Sequence, residues 1–268
     1  MAEILMRRDG AVGTLVFSNL EKHNAMTVEM WEALPERIAA FDEDPGIRVI
    51  VLTGDGHKAF VSGADVSQFD AQRSEPAAQR RYNEVVEAAY LAPTRARKPV
   101  LAQIRGLCFG GGLGLAAACD LRVCADDARF RMPAGRLGLG YSQSGLHRFV
   151  SLIGVQNTYD LFYTARIFDG AEALRIGFVC RVVPPSSLDA MVREMAGTIA
   201  ENAPLTLEAT KATINAYLRD PTDRHAADAR VPGLHRWCRA DGIPAAVLAG
   251  TPELNPVEYL LGRPVWCS

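Results

Sequence analysis

Cys108-Phe109-Gly110-Gly111-Gly112-Leu113-Gly114-Leu115-Ala116-Ala117-Ala118-Cys119-Asp120 is the stretch whose reading decides the fold of this chain. Three consecutive glycines join a strand-like apolar run, Val100 to Ile104, to a helix-like apolar run, Leu113 to Cys119. Without a Cβ, glycine lets backbone N–H groups approach a ligand closely. The first turn of the following helix adds free N–H donors and a partial positive charge. Such a turn suits a developing oxyanion.

Outward from that turn, strand and helix signals alternate. Ile4 to Arg8 and Val12 to Ser18 flank Asp9-Gly10 and predict a hairpin. Thr27 predicts a helix cap, with the helix running to about Asp44 and Pro35 arguing against an unbroken element. Short strands are expected at Val49 to Thr53, Ala59 to Ser62, Val100 to Ile104, Leu121 to Ala125 and Val179 to Val183. A polar helix is expected over Pro76 to Leu91, ended or kinked by Pro93. Gly145 to Ile153 and Val155 to Thr164 read as consecutive short helices, followed by Ala171 to Ile176, Ser187 to Asn202 and Pro204 to Leu218. Five-residue strands alternating with helices indicate an α/β fold. The expected division is a strand-rich core over residues 1–184 and a helical C-terminal extension over 185–268, serving as lid or oligomerisation element.

The chain has 268 residues, is 49% hydrophobic and carries a formal net charge of -2, with a pI near 6.2. That length and composition support a sizeable core. The charge balance gives no case for nucleic acid or an anionic membrane as partner. Cys108, Cys119, Cys124, Cys180, Cys238 and Cys267 form no CxxC pairs. They read as reduced thiols of a cytoplasmic protein, with no metal site. Neither a signal peptide nor a membrane span is expected.

Four motifs in order resemble the crotonase superfamily, the enoyl-CoA hydratase/isomerase family. Leu20-Glu21-Lys22-His23-Asn24-Ala25-Met26 is similar to P-E-K-x-N-A-[LM], with leucine for proline. Val51-Leu52-Thr53-Gly54 precedes Ala59-Phe60-Val61-Ser62-Gly63-Ala64-Asp65-Val66. Lys98-Pro99-Val100 through Gly106 precedes the glycines and Cys119-Asp120. Ala171, Leu174, Gly177-Phe178-Val179 and Val182-Val183 resemble A-x-x-x-G-L-V-x-x-V-V. The resemblance spans about residues 4 to 220. It implies a spiral of ββα turns, a homotrimer or dimer of trimers, and an acyl-CoA thioester ligand. Coenzyme A would arrive as part of the substrate, with no separate cofactor. It also implies that the backbone N–H groups of Ala64 and Gly111 form an oxyanion hole. Ala64, Asp65, Val66 and Ser67 would run along the bound CoA, with Gly110 and Gly111 at the thioester and His23, Asn24 and Ala25 approaching the nucleotide.

The chain departs from this family where acid–base chemistry is expected. In the family's hydratases two glutamates flank a water. One lies three residues after the middle glycine, where this chain has Gly114; the other follows a proline, where Pro133 is followed by Ala134. No glutamate occurs from Pro99 through Ala171. General acid–base groups contribute about 10²- to 10⁴-fold each, so a two-glutamate hydration does not carry over. Other branches place an aspartate where this chain aligns Ser142, beside Tyr141 and Gln143. Tyr141 reads as a pocket wall or a weak hydrogen-bond donor. His147 and Arg136 read as surface residues, Cys108 as a small buried residue, Asp120 as structural and Asp65 as loop-ordering. From about Arg224 the chain lacks the family's Glu-rich terminal pattern. The leading expectation is an enzyme that stabilises an enolate-like thioester. The alternatives are a non-catalytic acyl-CoA-binding protein, or another superfamily reaction such as isomerisation, decarboxylation or thioester hydrolysis.

Overall fold

The computed structural model describes residues 2–65, 67 and 75–219. By internal contacts the chain divides into Met1–Ala200 and Glu201–Ser268. In the first unit, β1 (Glu3–Asp9) and β2 (Val12–Ser18) form the antiparallel hairpin expected around Asp9-Gly10. From β2 onward the chain repeats one pattern. A strand joins a large sheet, a short strand joins a small sheet, and a helix returns. Thus β3 (Val49–Gly54), β5 (Val100–Ile104) and β7 (Leu121–Ala125) enter the large sheet, ordered β1-β2-β3-β5-β7-β10 with β10 at Arg181–Val183. Their partners β4 (Ala59–Val61), β6 (Leu107–Phe109) and β8 (Arg129–Arg131) build the small sheet, closed by antiparallel β9 (Ile167–Asp169). Successive corners are stitched together: Leu107 N–H donates to the Lys58 carbonyl at 3.0 Å, and Arg129 N–H to that of Gly106 at 2.8 Å. The result is a spiral of ββα turns.

Helices α1 (Val28–Glu43), α2 (Pro76–Arg95), α3 (Gly111–Ala118), α4 (Gln143–Thr164) and α5 (Gly170–Arg175) follow in chain order. Two proline expectations need correction. Both α1 and α2 run unbroken, through Pro35 and Pro93. An interior proline costs about 3 kcal/mol. In α1 that is offset by burying Met30, Trp31, Leu34, Ile38 and Phe41 on one face, each large apolar side chain contributing about 1.5–3 kcal/mol. The Thr27 cap is present, its side chain accepting from Met30 N–H at 3.3 Å. The two short helices expected around Gly154 form one element, α4, kinked where Gly154 takes φ 77°. The strand expected at Val179 shrinks to β10, because the N–H groups of Phe178 and Val179 instead bond the Ala173 carbonyl.

The main core lies between the two sheets and α1 to α5. It contains Phe17, Trp31, Phe60, Phe130, Phe149 and Phe178. Helix α6 (Leu188–Glu201) lays Leu188, Val192 and Ala196 on the opposite face of the large sheet, against Val49, Val51, Leu101 and Val123. Residue 184, the expected core boundary, therefore falls within the first unit. In the second unit the described residues include α7 (Pro204–Arg219). The expected atypical C-terminus beyond Arg224 lies outside the described residues. Cys108, Cys119, Cys124 and Cys180 are free thiols, and Cys238 and Cys267 lie outside the described residues. No helix among those described is long and apolar enough to cross a membrane.

Asp120 ties the end of α3 to β5. Its Oδ2 accepts from Val100 N–H at 2.8 Å, and its own N–H donates to the Val100 carbonyl at 2.8 Å. Asp120→Ala leaves the Val100 donor unpaired, so a loss of about 1–3 kcal/mol is expected in urea unfolding. An unchanged midpoint would refute the structural role assigned to this carboxylate.

Candidate functional site

Two loops and the glycine turn converge at one end of the small sheet. The first loop holds Lys22 to Met26. His23 and Asn24 adopt left-handed backbone, with φ 52° and 57°. The His23 side chain is exposed. The Asn24 side chain is spent inside the protein: Nδ2 donates to the carbonyls of Asp55 at 2.9 Å and Ala59 at 2.8 Å, and Oδ1 accepts from Asn19 N–H at 3.1 Å. Any ligand contact from His23 to Ala25 therefore falls to backbone or to His23.

The second loop, Ser62 to Ser67, is zipped to the first. Ser62 N–H donates to the His23 carbonyl, Met26 N–H to that of Gly63, and Asp65 N–H to that of Met26. The last two bonds make Ala64 the centre of a parallel bridge to Met26. In such a bridge the flanking residues make the hydrogen bonds, so the N–H and C=O of Ala64 point to the other side. Ala64 is only partly buried.

Asp65 is nearly buried, with 6% of its side chain exposed, and holds the loop. It accepts from Lys22 Nζ at 2.7 Å, Ser67 Oγ at 2.7 Å and Ser67 N–H at 3.0 Å. Burial raises its carboxyl pKa, but the hydrogen bonds from Lys22 and Ser67 outweigh that and hold it below the ordinary carboxylate value. A carboxyl lowered on folding stabilises the folded state above its unfolded pKa, and that share is lost as pH falls through the folded pKa. Wild type is therefore expected to lose stability below about pH 4 faster than Asp65→Asn. Parallel acid titration curves for the two proteins would contradict this. Val66 lies outside the described residues.

The glycine turn faces the second loop. Gly110 takes φ 50° and ψ -113° and donates its N–H to the Arg131 carbonyl at 2.9 Å. A Cβ on Gly110 would lie 4.0 Å from Gly63 Cα, so the two backbones pass close together. Ala64 and Gly111 each follow one residue later. Gly111 is the first residue of α3, and an N–H there has no partner within its helix. Residues 112 to 118 of α3 are all buried, as expected of a helix apolar on every side.

The site holds no carboxylate at the two expected positions. Ala134 is buried in a short turn after Pro133. At Gly114, a Cβ would meet Tyr90 Cζ and Oη, each at 2.8 Å. Tyr90 on α2 thus fills the volume above Gly114. Its ring stands edge-to-face on Trp31, with centroids 5.7 Å apart, and its hydroxyl interacts with that of Tyr141. Burial, followed by the Tyr141 phenol, raises Tyr90 well above its ordinary value. Burial pushes Tyr141 up to about 12, against a smaller lowering by Tyr90. Both phenols are neutral donors at physiological pH, not bases. A mostly apolar cavity of about 60 Å³ adjoins them, lined by Tyr90, Gly114, Tyr141, Ser144, Arg148 and Phe149 among others.

The remaining candidates lie elsewhere or do structural work. Ser142 caps α4, its Oγ accepting from Gly145 N–H at 3.3 Å, and it pairs with Ser144 Oγ at 3.0 Å. His147 is exposed on α4, 3.5 Å from Ser151 Oγ. Arg136 is exposed. Cys108 is fully buried, and burial raises its thiol pKa well above the ordinary value, which leaves it unreactive. The sequence reading missed Tyr90. It sits about 20 residues before the turn, on a helix whose registry against α3 no local pattern encodes. A larger groove, about 530 Å³, opens on the α6 side of the large sheet and is lined by none of these site residues.

The sequence model of the enoyl-CoA hydratase/isomerase family matches residues 7–240. The chain belongs to that family. It is 30% identical to the short-chain-enoyl-CoA hydratase of Clostridium acetobutylicum over 79% of this chain and 80% of that one. It is 34% identical to the peroxisomal Delta(3,5)-Delta(2,4)-dienoyl-CoA isomerase of Arabidopsis thaliana, over 77% of this chain and 78% of that one. A solved enoyl-CoA hydratase/carnithine racemase from Magnetospirillum magneticum superposes with a TM-score of 0.85 at 30% identity, covering 100% of this chain and 96% of that one. The α/β spiral is therefore the crotonase fold, as the motifs implied. Family members matching this chain include both hydratases and isomerases, so membership leaves the individual reaction to the residues of the site.

Proposed function

We propose that this family member binds an acyl-CoA thioester and stabilises an enolate-like oxyanion with the backbone N–H groups of Ala64 and Gly111. The observation that carries this is the meeting of two outward-facing backbone donors where Gly63 and Gly110 pass closely. A thioester oxygen gains negative charge in such a reaction, and preorganised donors act without reorganising. The Ala64–Ser67 segment and the His23–Ala25 loop are the proposed track for coenzyme A, which comes as part of the substrate with no further cofactor. Tyr141 and Ser142 are the polar groups carried from the sequence reading, with Ser142 acting as a helix cap. The reaction is one that runs without two fixed carboxylates, since Gly114 and Ala134 supply none. The buried, free thiols of Cys108, Cys119 and Cys124 support a reducing, cytoplasmic setting. Exposed Val155, Tyr159 and Tyr163, at four-residue spacing on α4, support self-association as a homotrimer or dimer of trimers.

A second reading is favoured by the same missing carboxylates: a protein that binds acyl-CoA without converting it. The discriminating experiment incubates near-stoichiometric protein with crotonyl-CoA and follows 3-hydroxybutyryl-CoA by mass. Conversion above a boiled-protein control supports turnover and assigns the acid–base work to other groups. Bound but unconverted crotonyl-CoA moves the weight to the binding reading or to another thioester reaction. If no CoA thioester binds, both readings fall.

A further inference from the structure

Tyr90 touches the turn at two points. Its Oη lies 3.4 Å from where a Cβ on Gly111 would stand and 2.8 Å from where one on Gly114 would stand. The N–Cα and Cα–Cβ bonds then keep Oη within roughly 6 Å of the Gly111 nitrogen. Hydrogen bonds of about 2.7–3.0 Å drawn from each end leave room for two acceptor oxygens on neighbouring parts of one small molecule. The adjoining cavity of about 60 Å³ holds on the order of four to five water-sized groups. Its wall is mostly apolar, and no carboxylate lines it among the described residues. The polar or titratable groups beside Tyr90 are Tyr82 on α2, Tyr141 ahead of α4 and Arg148 across the cavity. Glu87 reaches the rim only through Ser144 Oγ, at 2.9 Å, and is itself exposed.

We propose that Tyr90, positioned by Tyr141, is a second hydrogen-bond anchor that selects short acyl-CoA thioesters carrying an oxygen at C3, such as 3-oxoacyl or 3-hydroxyacyl groups. The proposal rests on the reading of Ala64 and Gly111 as the thioester anchor. The Ala64 and Gly111 N–H groups take the thioester oxygen, and the Tyr90 hydroxyl takes the C3 oxygen. Both tyrosines stay protonated at physiological pH, which keeps Tyr90 a donor. Gly114 is glycine because any side chain there would displace the phenol. Tyr90 therefore determines specificity by direct contact, while Tyr141 is a positioning residue.

The test is calorimetric titration of butyryl-CoA, 3-hydroxybutyryl-CoA, acetoacetyl-CoA and octanoyl-CoA into wild type and Tyr90→Phe. In wild type, acetoacetyl-CoA and 3-hydroxybutyryl-CoA are expected to bind about tenfold more tightly than butyryl-CoA, the worth of one good hydrogen bond. Octanoyl-CoA is expected to bind at least about tenfold more weakly than butyryl-CoA, its chain exceeding the cavity. Tyr90→Phe should abolish the C3 preference and leave butyryl-CoA affinity unchanged, a split that a purely structural tyrosine would not produce. Tyr141→Phe should reduce the preference in part, and it serves as the readout if Tyr90→Phe fails to fold. A C3 preference that survives in Tyr90→Phe, or is absent in wild type, overturns the assignment of Tyr90 while leaving the thioester anchor standing. Octanoyl-CoA binding as tightly as butyryl-CoA overturns the short-chain limit. Failure of every thioester to bind removes the anchor reading and this one with it.

Discussion

Gly111→Pro is expected to lower turnover of a bound CoA thioester by about 10²- to 10³-fold, the cost of one lost oxyanion donor. Proline removes the N–H but suits the first position of a helix, where that donor is free in any case. The substitution also adds bulk. A Cβ at residue 111 would lie 3.0 Å from Trp31 Cζ2, so the indole must yield by a few tenths of an ångström. Gly111→Ala supplies the control, because it adds the same Cβ and keeps the N–H. The difference between the two variants isolates the donor. Conversion by mass and thermal melts on wild type, Gly111→Ala and Gly111→Pro decide the matter. If the proline variant folds and turns over at the rate of the alanine variant, Gly111 is not an oxyanion donor.

The largest stability effect is expected one residue further on. A Cβ on Gly112 would sit 2.2 Å from the Val61 carbonyl oxygen and 2.8 Å from Val61 Cβ. Val61 belongs to β4 and Gly112 to α3, and neither can retreat without breaking the small sheet or moving a buried helix. Overpacking a rigid core contact costs about 1–3 kcal/mol and sometimes more. Backbone opposing backbone places Gly112→Ala at or above about 3 kcal/mol. For a unit of this size that corresponds to a fall in Tm on the order of 6–12 °C. Urea unfolding with a wild-type midpoint would mean that α3 can slide, and with it Gly111.

Much of this arrangement was legible before any coordinates. The hairpin at Asp9-Gly10, the Thr27 cap and the buried strands β3, β5 and β7 follow from period and turn chemistry, and all form where expected. The three-residue strands β6, β8 and β9 were not legible. A strand that short carries no period of its own and exists because a neighbour offers hydrogen bonds. The two prolines misled for a related reason. Propensity counts a lost N–H, whereas burial of the face beside Pro35 is a property of the assembled core.

At the site the division is similar. The sequence by itself determined the glycine turn, the Gly-Ala-Asp loop, and the absence of carboxylates at Gly114, Ala134 and Ser142, because these depend on residue identity at motif spacing. Only the tertiary structure decided that the Ala64 N–H faces away from Met26, that Gly63 meets Gly110, and that the Asn24 side chain is consumed by the loops. It alone showed Tyr90 filling the space above Gly114. The physical reason is distance along the chain. Each of these contacts joins residues tens of positions apart, and the packing of α2 on α3 that sets the last of them is fixed by the shape of the whole core.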